Sequence, residues 1–382
     1  MAALLTESCR KPVAVVGWQR QEPWSLARVQ FRGDSAPPTA IVKWVRCHSA
    51  AGRTEPWRLR LECATLRYLS DDLRLTFTPR VLATDLSAGF AVIEDLAPRV
   101  GLDRLIGRDG ADAHLERLRA FARALGELGA ATSRRATVNR PWPAELTRLT
   151  AAADPLAGLS GALDEACEYA TDLGVRVSDG VDWDLAAIAD ELRAPGPFFA
   201  LSSGDAGTNN VLVHESGPAD PRLIDFEASA FTHALLDAVC LHVPGPGWLT
   251  VGDPVALGVA DDYRSALALG IPQAEDDRLY GFGLTAACAW WALRRLRRFP
   301  KLDMRPPGDK SRPQLVETLE AAARVACTYR ALPHTAGWTR AVAEQLRRRW
   351  PDADLDFTGP AAVAPYSPRR EVAPPVATDP CW

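Results

Sequence analysis

Residues 201–213 read Leu-Ser-Ser-Gly-Asp-Ala-Gly-Thr-Asn-Asn-Val-Leu-Val. Gly204-Asp205 stands ahead of three small residues, then come Asn209-Asn210, then a run with the apolar, β-branched content of a strand. A second short apolar run, Arg222-Leu-Ile-Asp-Phe226, follows after the connection His-Glu-Ser-Gly-Pro-Ala-Asp-Pro (214–221). A Gly/Pro/Asp connection of this kind favours an antiparallel hairpin. Asn210 opens its first strand and Asp225 lies at the end of its second, so the two are expected at the same end. Asp205 is on the loop that feeds in. Two oxygen-donor side chains and a further carboxylate at one open edge suit a hard cation such as Mg²⁺, which takes few protein ligands and keeps sites for water and phosphate. Polar residues at strand ends also cap turns, and this stretch by itself leaves both readings open.

The N-terminal hundred residues alternate strand patterns with turns. Strands are predicted at 13–18, 26–31, 39–46, 80–84 and 89–96, with a helix from about Pro56 to Leu69 capped by Thr54. In Thr39-Ala-Ile-Val-Lys-Trp-Val-Arg46, strand alternation puts Ile41, Lys43 and Val45 on one face. On the helix, Glu62 lies three residues after Leu59 and four before Leu66, at the edge of the apolar stripe. A half-buried ammonium and a half-buried carboxylate each need a partner, and pairing with one another is the economical solution.

After Pro98 helical periodicity dominates, at 111–132, through 143–195, and at 232–243, 255–270, 279–299, 313–331 and 336–349. Strands are expected only at 198–202, 210–213 and 222–226. From about Thr358 a Pro/Ala-rich stretch without periodicity reads as a disordered tail. The expected division is a β-rich lobe over 1–97, a mainly helical lobe over 98–357 and a tail over 358–382.

The chain has 382 residues, 47% hydrophobic and 24% charged, which is a globular balance. A net charge of -4 argues against a nucleic-acid-binding role. Eight cysteines with no CxxC pair argue against a zinc or disulfide framework and for a reducing cytoplasm. The apolar stretch at the N-terminus is too short for a signal peptide, and no window approaches the roughly 18 apolar residues of a membrane span.

The order of these features, lysine on a strand, glutamate on the next helix, Ile93-Glu-Asp-Leu96, Gly204-Asp205 with Asn210, then Ile224-Asp-Phe226, resembles the aminoglycoside phosphotransferase and choline kinase group of the protein-kinase-like fold. The resemblance runs over roughly residues 13 to 300, and Leu235-Leu-Asp237 is similar to that group's following structural aspartate. It implies an α+β, two-lobed fold and a phosphotransferase that moves the γ-phosphate of ATP or GTP to a hydroxyl of a small molecule. It further implies that Lys43 holds the α- and β-phosphates, that Glu62 fixes Lys43, and that the backbone of Glu94 and Leu96 pairs with the adenine. Asp205 would take the proton of the acceptor hydroxyl, and Asn210 and Asp225 would hold Mg²⁺. The D-x-x-x-x-N spacing selects Asn210, leaving Asn209 to hold the loop.

Two features depart from the group's pattern. Ser203 stands where a histidine is usual, and the nucleotide-covering loop at 17–25 has one glycine and two tryptophans, Trp18 and Trp24. They keep open an alternative, a catalytically silent nucleotide-binding protein of kinase-like fold. A protein kinase is disfavoured because no HRD, DFG or APE motif is present. Acidic stretches at 164–172 and 182–184 either attract an amine-bearing acceptor, such as an aminoglycoside or amino alcohol, or are solvated helix faces. The latter is the commoner case. The basic run at 293–299 reads as a solvated helix face and His233 as structural, on a helix.

Overall fold

The computed structural model describes residues 2–21, 25–33, 37–45, 55–133, 142–153, 156–244 and 254–353, with the short strand pairing of 355–356 and 367–368. The β-branched and aromatic runs near the N-terminus form β1 (Ala14–Arg20), β2 (Leu26–Arg32), β3 (Thr39–Trp44), β4 (Val81–Asp85) and β5 (Phe90–Glu94). They make one antiparallel sheet in the order β1-β2-β3-β5-β4. Period-two alternation gives the sheet two different faces. Ala40, Val42 and Val92 face a small core with Val29 and Phe31. Ile41 and Lys43, paired with Ile93 and Ala91, face the other way, towards α2 (Pro56–Arg67). The leading helix α1 (Ala2–Cys9) buries Leu5 in the small core and packs on β4. The N-terminal apolar stretch is thus an element of the fold. The Thr54 cap falls outside the described residues; Glu55 is at the N-cap of α2, with Pro56 in its first turn.

Beyond the sheet, β6 (Val100–Gly101) leads into α3 (Leu102–Asp109), α4 (Leu115–Thr132), α5 (Ala144–Ala152), α6 (Leu159–Asp172) and α7 (Asp179–Arg193). Then come β7 (Phe199–Ser202), β8 (Val211–Val213), β9 (Arg222–Leu223) and β10 (Ala230–His233). The chain ends in helices α8 (Val239–His242), α9 (Val259–Ala268), α10 (Asp277–Leu296), α11 (Phe299–Asp303), α12 (Ser311–Tyr329) and α13 (Pro333–Arg349). The fold is α+β and two-lobed, with a β-rich N-lobe and a mainly helical C-lobe. α10 is the axis of the C-lobe, touching α6, α7, α8 and α12. It is buried through small residues, Gly281, Gly283, Ala286, Ala287, Ala289 and Ala292, which lets its neighbours come close. α4 and α9 approach more closely still, since a Cβ on Gly126 would lie 2.4 Å from the Tyr263 carbonyl oxygen.

One element differs in kind from expectation. Residues 232–243, read as a helix, begin as strand β10, paired with β7 through Ala230↔Ser202 to His233↔Phe199. A single 3-10 turn, Ala234–Leu236, and the short α8 follow. The spacing of Phe231, Leu235 and Leu236 suits a helix, but the backbone groups of β7 need a partner and Phe231 packs on Trp142 at 4.3 Å. The expected strand at 198–202 supplied that pairing need, and its consequence ten residues beyond Asp220 was not read from local pattern. The tail from 358 lies almost wholly outside the described residues. No helix among those described is long and apolar enough to cross a membrane.

Candidate functional site

Lys43 projects from β3 towards α2, and its Nζ makes salt bridges of 2.7 Å to Glu62, 2.7 Å to Asp225 and 3.3 Å to Glu227. Burial alone would lower the pKa of Lys43, but the three carboxylates outweigh it and hold the ammonium charged, well above its ordinary value. Glu62 is 3% exposed. Burial pushes its carboxyl upwards, Asp225 and Glu227 push the same way, and Lys43 opposes them. Candidate ligand oxygens of Glu62, Asp225 and Glu227 lie within 4.8 Å of one another. Three carboxylates facing one ammonium leave a surplus of negative charge, the condition a divalent cation relieves. Glu227 was not singled out from sequence. It lies two residues after Asp225, in a turn that follows the left-handed Asp225 backbone, and strand alternation does not predict its place.

The hairpin forms in the expected register. Val211 pairs with Leu223 and Leu212 with Arg222, and the Ile224 amide donates to the Asn210 carbonyl at 3.0 Å. The backbones at Asn210 and Asp225 therefore lie at one end of the hairpin. Asp225 has a positive φ of 66°, in the left-handed region. Asn210 donates from its side-chain amide to the Asp205 carbonyl at 2.8 Å and to the Asp205 carboxylate at 3.1 Å. Asn209 in turn donates to Asn210 Oδ1 at 2.9 Å. The two asparagines thus differ in what they hold: Asn210 orients Asp205, and Asn209 orients Asn210.

Beneath this loop lies Asp237, 4% exposed. Its carboxylate accepts from the Ser202 hydroxyl at 2.6 Å, the Ser203 amide at 3.0 Å and the Ser203 hydroxyl at 3.3 Å. Burial raises its pKa to about 6 in spite of these donors. Ser203, at the position where the resemblance would place a histidine, is a buried tie between the loop and Asp237. Gly204 has a φ of +79°, and a Cβ there would meet the Ala228 carbonyl oxygen at 1.9 Å. The segment after Glu227 therefore runs backbone to backbone against the start of the Asp205 loop. A buried contact of 2.8 Å between the hydroxyls of Thr65 and Ser229 ties that segment to α2, the helix of Glu62. Asp237 stands where the resemblance places a structural aspartate, while its partners and the Thr65–Ser229 tie join residues far apart in the chain and were not read from sequence.

At the lobe junction, the Glu94 amide donates to the Arg80 carbonyl at 2.9 Å and its carboxylate accepts from the Arg80 amide at 3.1 Å. Leu96 is buried. Between them Asp95 is gripped by both arms of Arg28 from β2, at 2.7 and 3.2 Å. Of the stretch read as a loop over 17–25, residues 17–20 are strand, since β1 pairs with β2 through Arg20↔Ala27, and the Gln21 amide donates to the Leu26 carbonyl at 3.0 Å; residues 22–24 lie outside the described residues. Trp18 is 70% exposed on β1, and Trp24 lies outside the described residues.

In the acidic stretches, Glu165 is paired with Arg297 at 2.5 and 3.0 Å, and Asp184 accepts from the Thr335 amide at 2.8 Å. His233 is buried on a strand end. Its Nδ1 accepts from the Leu235 amide at 3.2 Å, which leaves Nε2–H to donate to Glu191 at 3.1 Å.

No family model matches the chain, and no curated protein matches it. Solved structures do. A Ralstonia eutropha protein assigned to the aminoglycoside phosphotransferases is similar at 13% identity, over 88% of this chain and 93% of its own, with a TM-score of 0.48. The choline/ethanolamine kinase family protein of Mesorhizobium loti is similar at 15% identity, over 85% and 92%, with a TM-score of 0.45. The choline kinase LicA of Streptococcus pneumoniae is similar at 14% identity, over 81% and 94%, with a TM-score of 0.44. The structural neighbours of this chain are thus aminoglycoside phosphotransferases and choline/ethanolamine kinases, the group whose order of motifs its sequence resembles.

Proposed function

We propose that the chain is a small-molecule kinase, transferring the γ-phosphate of ATP or GTP to a hydroxyl of a small acceptor. The observation that carries this reading is the joining of two clusters by one hairpin. Lys43 with its carboxylates lies at Asp225, and the Asp205–Asn210 pair lies at the adjoining strand end. Lys43 would hold the α- and β-phosphates, positioned by Glu62. Glu94 would offer the adenine its carbonyl, since its amide is held by Arg80, and Leu96 its backbone. Asn210 and Asp225 would hold Mg²⁺, with Glu227 close enough to share it. When bound, the metal neutralises charge on the phosphate oxygens.

Asp205 has the part that geometry favours for a base, being exposed and oriented by Asn210. In the transfer, the acceptor oxygen bonds to the γ-phosphorus as the bond from that phosphorus to the bridging oxygen breaks. The nucleoside diphosphate leaves and the hydroxyl proton passes to the Asp205 carboxylate. A soluble setting in a reducing cytoplasm accords with eight cysteines lacking any CxxC pair.

The test is nucleoside diphosphate release by the full chain with Mg²⁺, ATP or GTP and a panel of hydroxyl compounds. Asp205→Asn is expected to lower that release by about 10² to 10⁴-fold. Turnover unaffected by Asp205→Asn sinks the assignment of Asp205. Nucleotide binding with no turnover of any panel member favours the silent nucleotide-binding protein.

A further inference from the structure

Residues 94–97 join the lobes and have to place each of their backbone donors and acceptors. The Glu94 amide donates to the Arg80 carbonyl at 2.9 Å. In a regular antiparallel pair the Arg80 amide would return that bond to the Glu94 carbonyl. Here it donates to the Glu94 carboxylate instead, at 3.1 Å, with the Arg80 side chain 3.9 Å from the same oxygen. The Glu94 side chain thus stands in for its own carbonyl in the pairing with the chain ahead of β4. The Ala97 amide donates to the Asp95 carboxylate at 3.1 Å, and the Leu96 carbonyl accepts from the Arg99 amide at 3.1 Å. Among the described residues the Leu96 amide meets no acceptor, although Leu96 is buried.

This leaves the Glu94 carbonyl as an acceptor and the Leu96 amide as a donor. The turn begins only at Ala97, so the two groups belong to unturned backbone, two residues apart. That is the spacing that brings backbone groups to one edge of a strand. Ile41 and Ile93, a cross-strand pair on the Lys43 face, offer a flat ring apolar cover beside them. Glu94 is paired with Ala40, three residues of β3 from Lys43. Three strand residues span about 10 Å, comparable with the reach from the edge of a purine to its α-phosphate. Adenine presents a 6-amino donor beside the N1 acceptor, and guanine an O6 acceptor beside an N1–H donor. An acceptor followed by a donor on the protein matches the first and sets like against like in the second. Guanine moved along, with O6 on the Leu96 amide, would turn its donors to the Leu96 carbonyl, which the Arg99 amide already holds.

We propose that Glu94 is a positioning residue for base selectivity. Its carboxylate satisfies the Arg80 amide and so leaves the Glu94 carbonyl, with the Leu96 amide, to read a purine edge that carries a donor beside an acceptor. The nucleotide taken is then an adenine nucleotide, and guanine is rejected. The proposal rests on the reading of residues 94–96 as the place of the base. A site whose polar groups the wrong base leaves unpaired rejects that base far more strongly than one that selects by size alone.

The test is calorimetric titration of the full chain, in Mg²⁺, with the diphosphates of adenosine, guanosine, inosine and 2,6-diaminopurine riboside. Inosine has the edge of guanine without its 2-amino group, and diaminopurine has the edge of adenine with that group added. The adenine and diaminopurine diphosphates are expected to bind at least about thirtyfold tighter than the other two. Glu94→Ala is expected to cut that preference at least about fivefold, because the Arg80 amide then turns to the carbonyl. Glu94→Gln, whose side-chain oxygen also accepts, is expected to keep it. Thermal melting of both variants reports whether they fold. Inosine diphosphate binding as tightly as ADP overturns the proposal, since the 6-position is then not read. So does a diaminopurine diphosphate as weak as GDP, which would assign the choice to exclusion of the 2-amino group. A preference unchanged in Glu94→Ala, or lost as fully in Glu94→Gln, overturns it as well. Binding by none of the four sinks it together with the nucleotide reading. Adenine-selective binding without phosphoryl transfer to any hydroxyl compound sinks the kinase reading and leaves the part of Glu94. Asp205-dependent transfer from GTP as readily as from ATP does the reverse.

Discussion

Gly204 is the residue on which the Asp205 loop turns. Its positive φ is unfavourable for any side chain by about 1 kcal/mol, and the Ala228 carbonyl occupies the space a Cβ would take. Gly204→Ala is expected to destabilise the fold by at least about 2 kcal/mol, read as a lower denaturant midpoint at unchanged m-value. Asp237 sets a pH dependence at the same scale. Its folded pKa, about 6, lies above the ordinary carboxylate value of 3.8, chiefly through burial. Its contribution to stability is therefore full below about pH 4 and lost as pH rises through 6. Asp237→Asn, which cannot titrate, is expected to lose that descent between pH 4 and 6 in denaturant midpoints. A descent of the same size in the variant would assign it to other groups.

At the scale of elements, the strands β1 to β5 and the hairpin β8–β9 were legible because alternation and turn chemistry are local. Lys43 and Glu62 were legible as a pair because two charges on half-buried faces need each other. β10 was not legible, since its apolar spacing satisfies a helix equally and only the open edge of β7 decides. Two cross-element ties were equally silent. Thr65→Val is expected to leave the Ser229 hydroxyl buried without a partner and to destabilise by about 1–3 kcal/mol in chemical denaturation. Arg28 holds Asp95 between Glu94 and Leu96, so Arg28→Ala is expected to raise KM for the nucleotide more than it lowers kcat. A fall in kcat with KM unchanged would place the arginine's effect at the chemical step instead.

For the whole molecule, the large core takes in Leu59, Ala91 and Ile93 of the N-lobe together with Leu235, Leu284 and Leu293 of the C-lobe. We propose residue 97 as the lobe boundary in chain terms, while packing continues across it. The Lys43 region lies where the lobes meet and carries three acids to one base. Asp225→Asn relieves that surplus, and asparagine tolerates the positive φ. The free protein is expected to melt at the same or a higher temperature, while the rise given by Mg²⁺ and nucleotide is lost. A retained rise with Mg²⁺ present and absent in equal measure would remove Asp225 from the metal set.

The sequence by itself determined the β-rich and helical halves, the Lys43–Glu62 pair, and the hairpin that brings Asn210 and Asp225 to one end. All of these follow from periodicity, turn residues and the need of buried charge for a partner, which act over short stretches or between two obvious candidates. Only the tertiary structure decided that Glu227 joins Asp225 on Lys43, that Ser203 is a tie to Asp237, and that Thr65 holds Ser229. Those contacts join elements whose approach is set by the burial of a whole core. Gly204, with which the loop turns, belongs to both: its place before Asp205 is local, and the carbonyl that forbids it a side chain comes from Ala228.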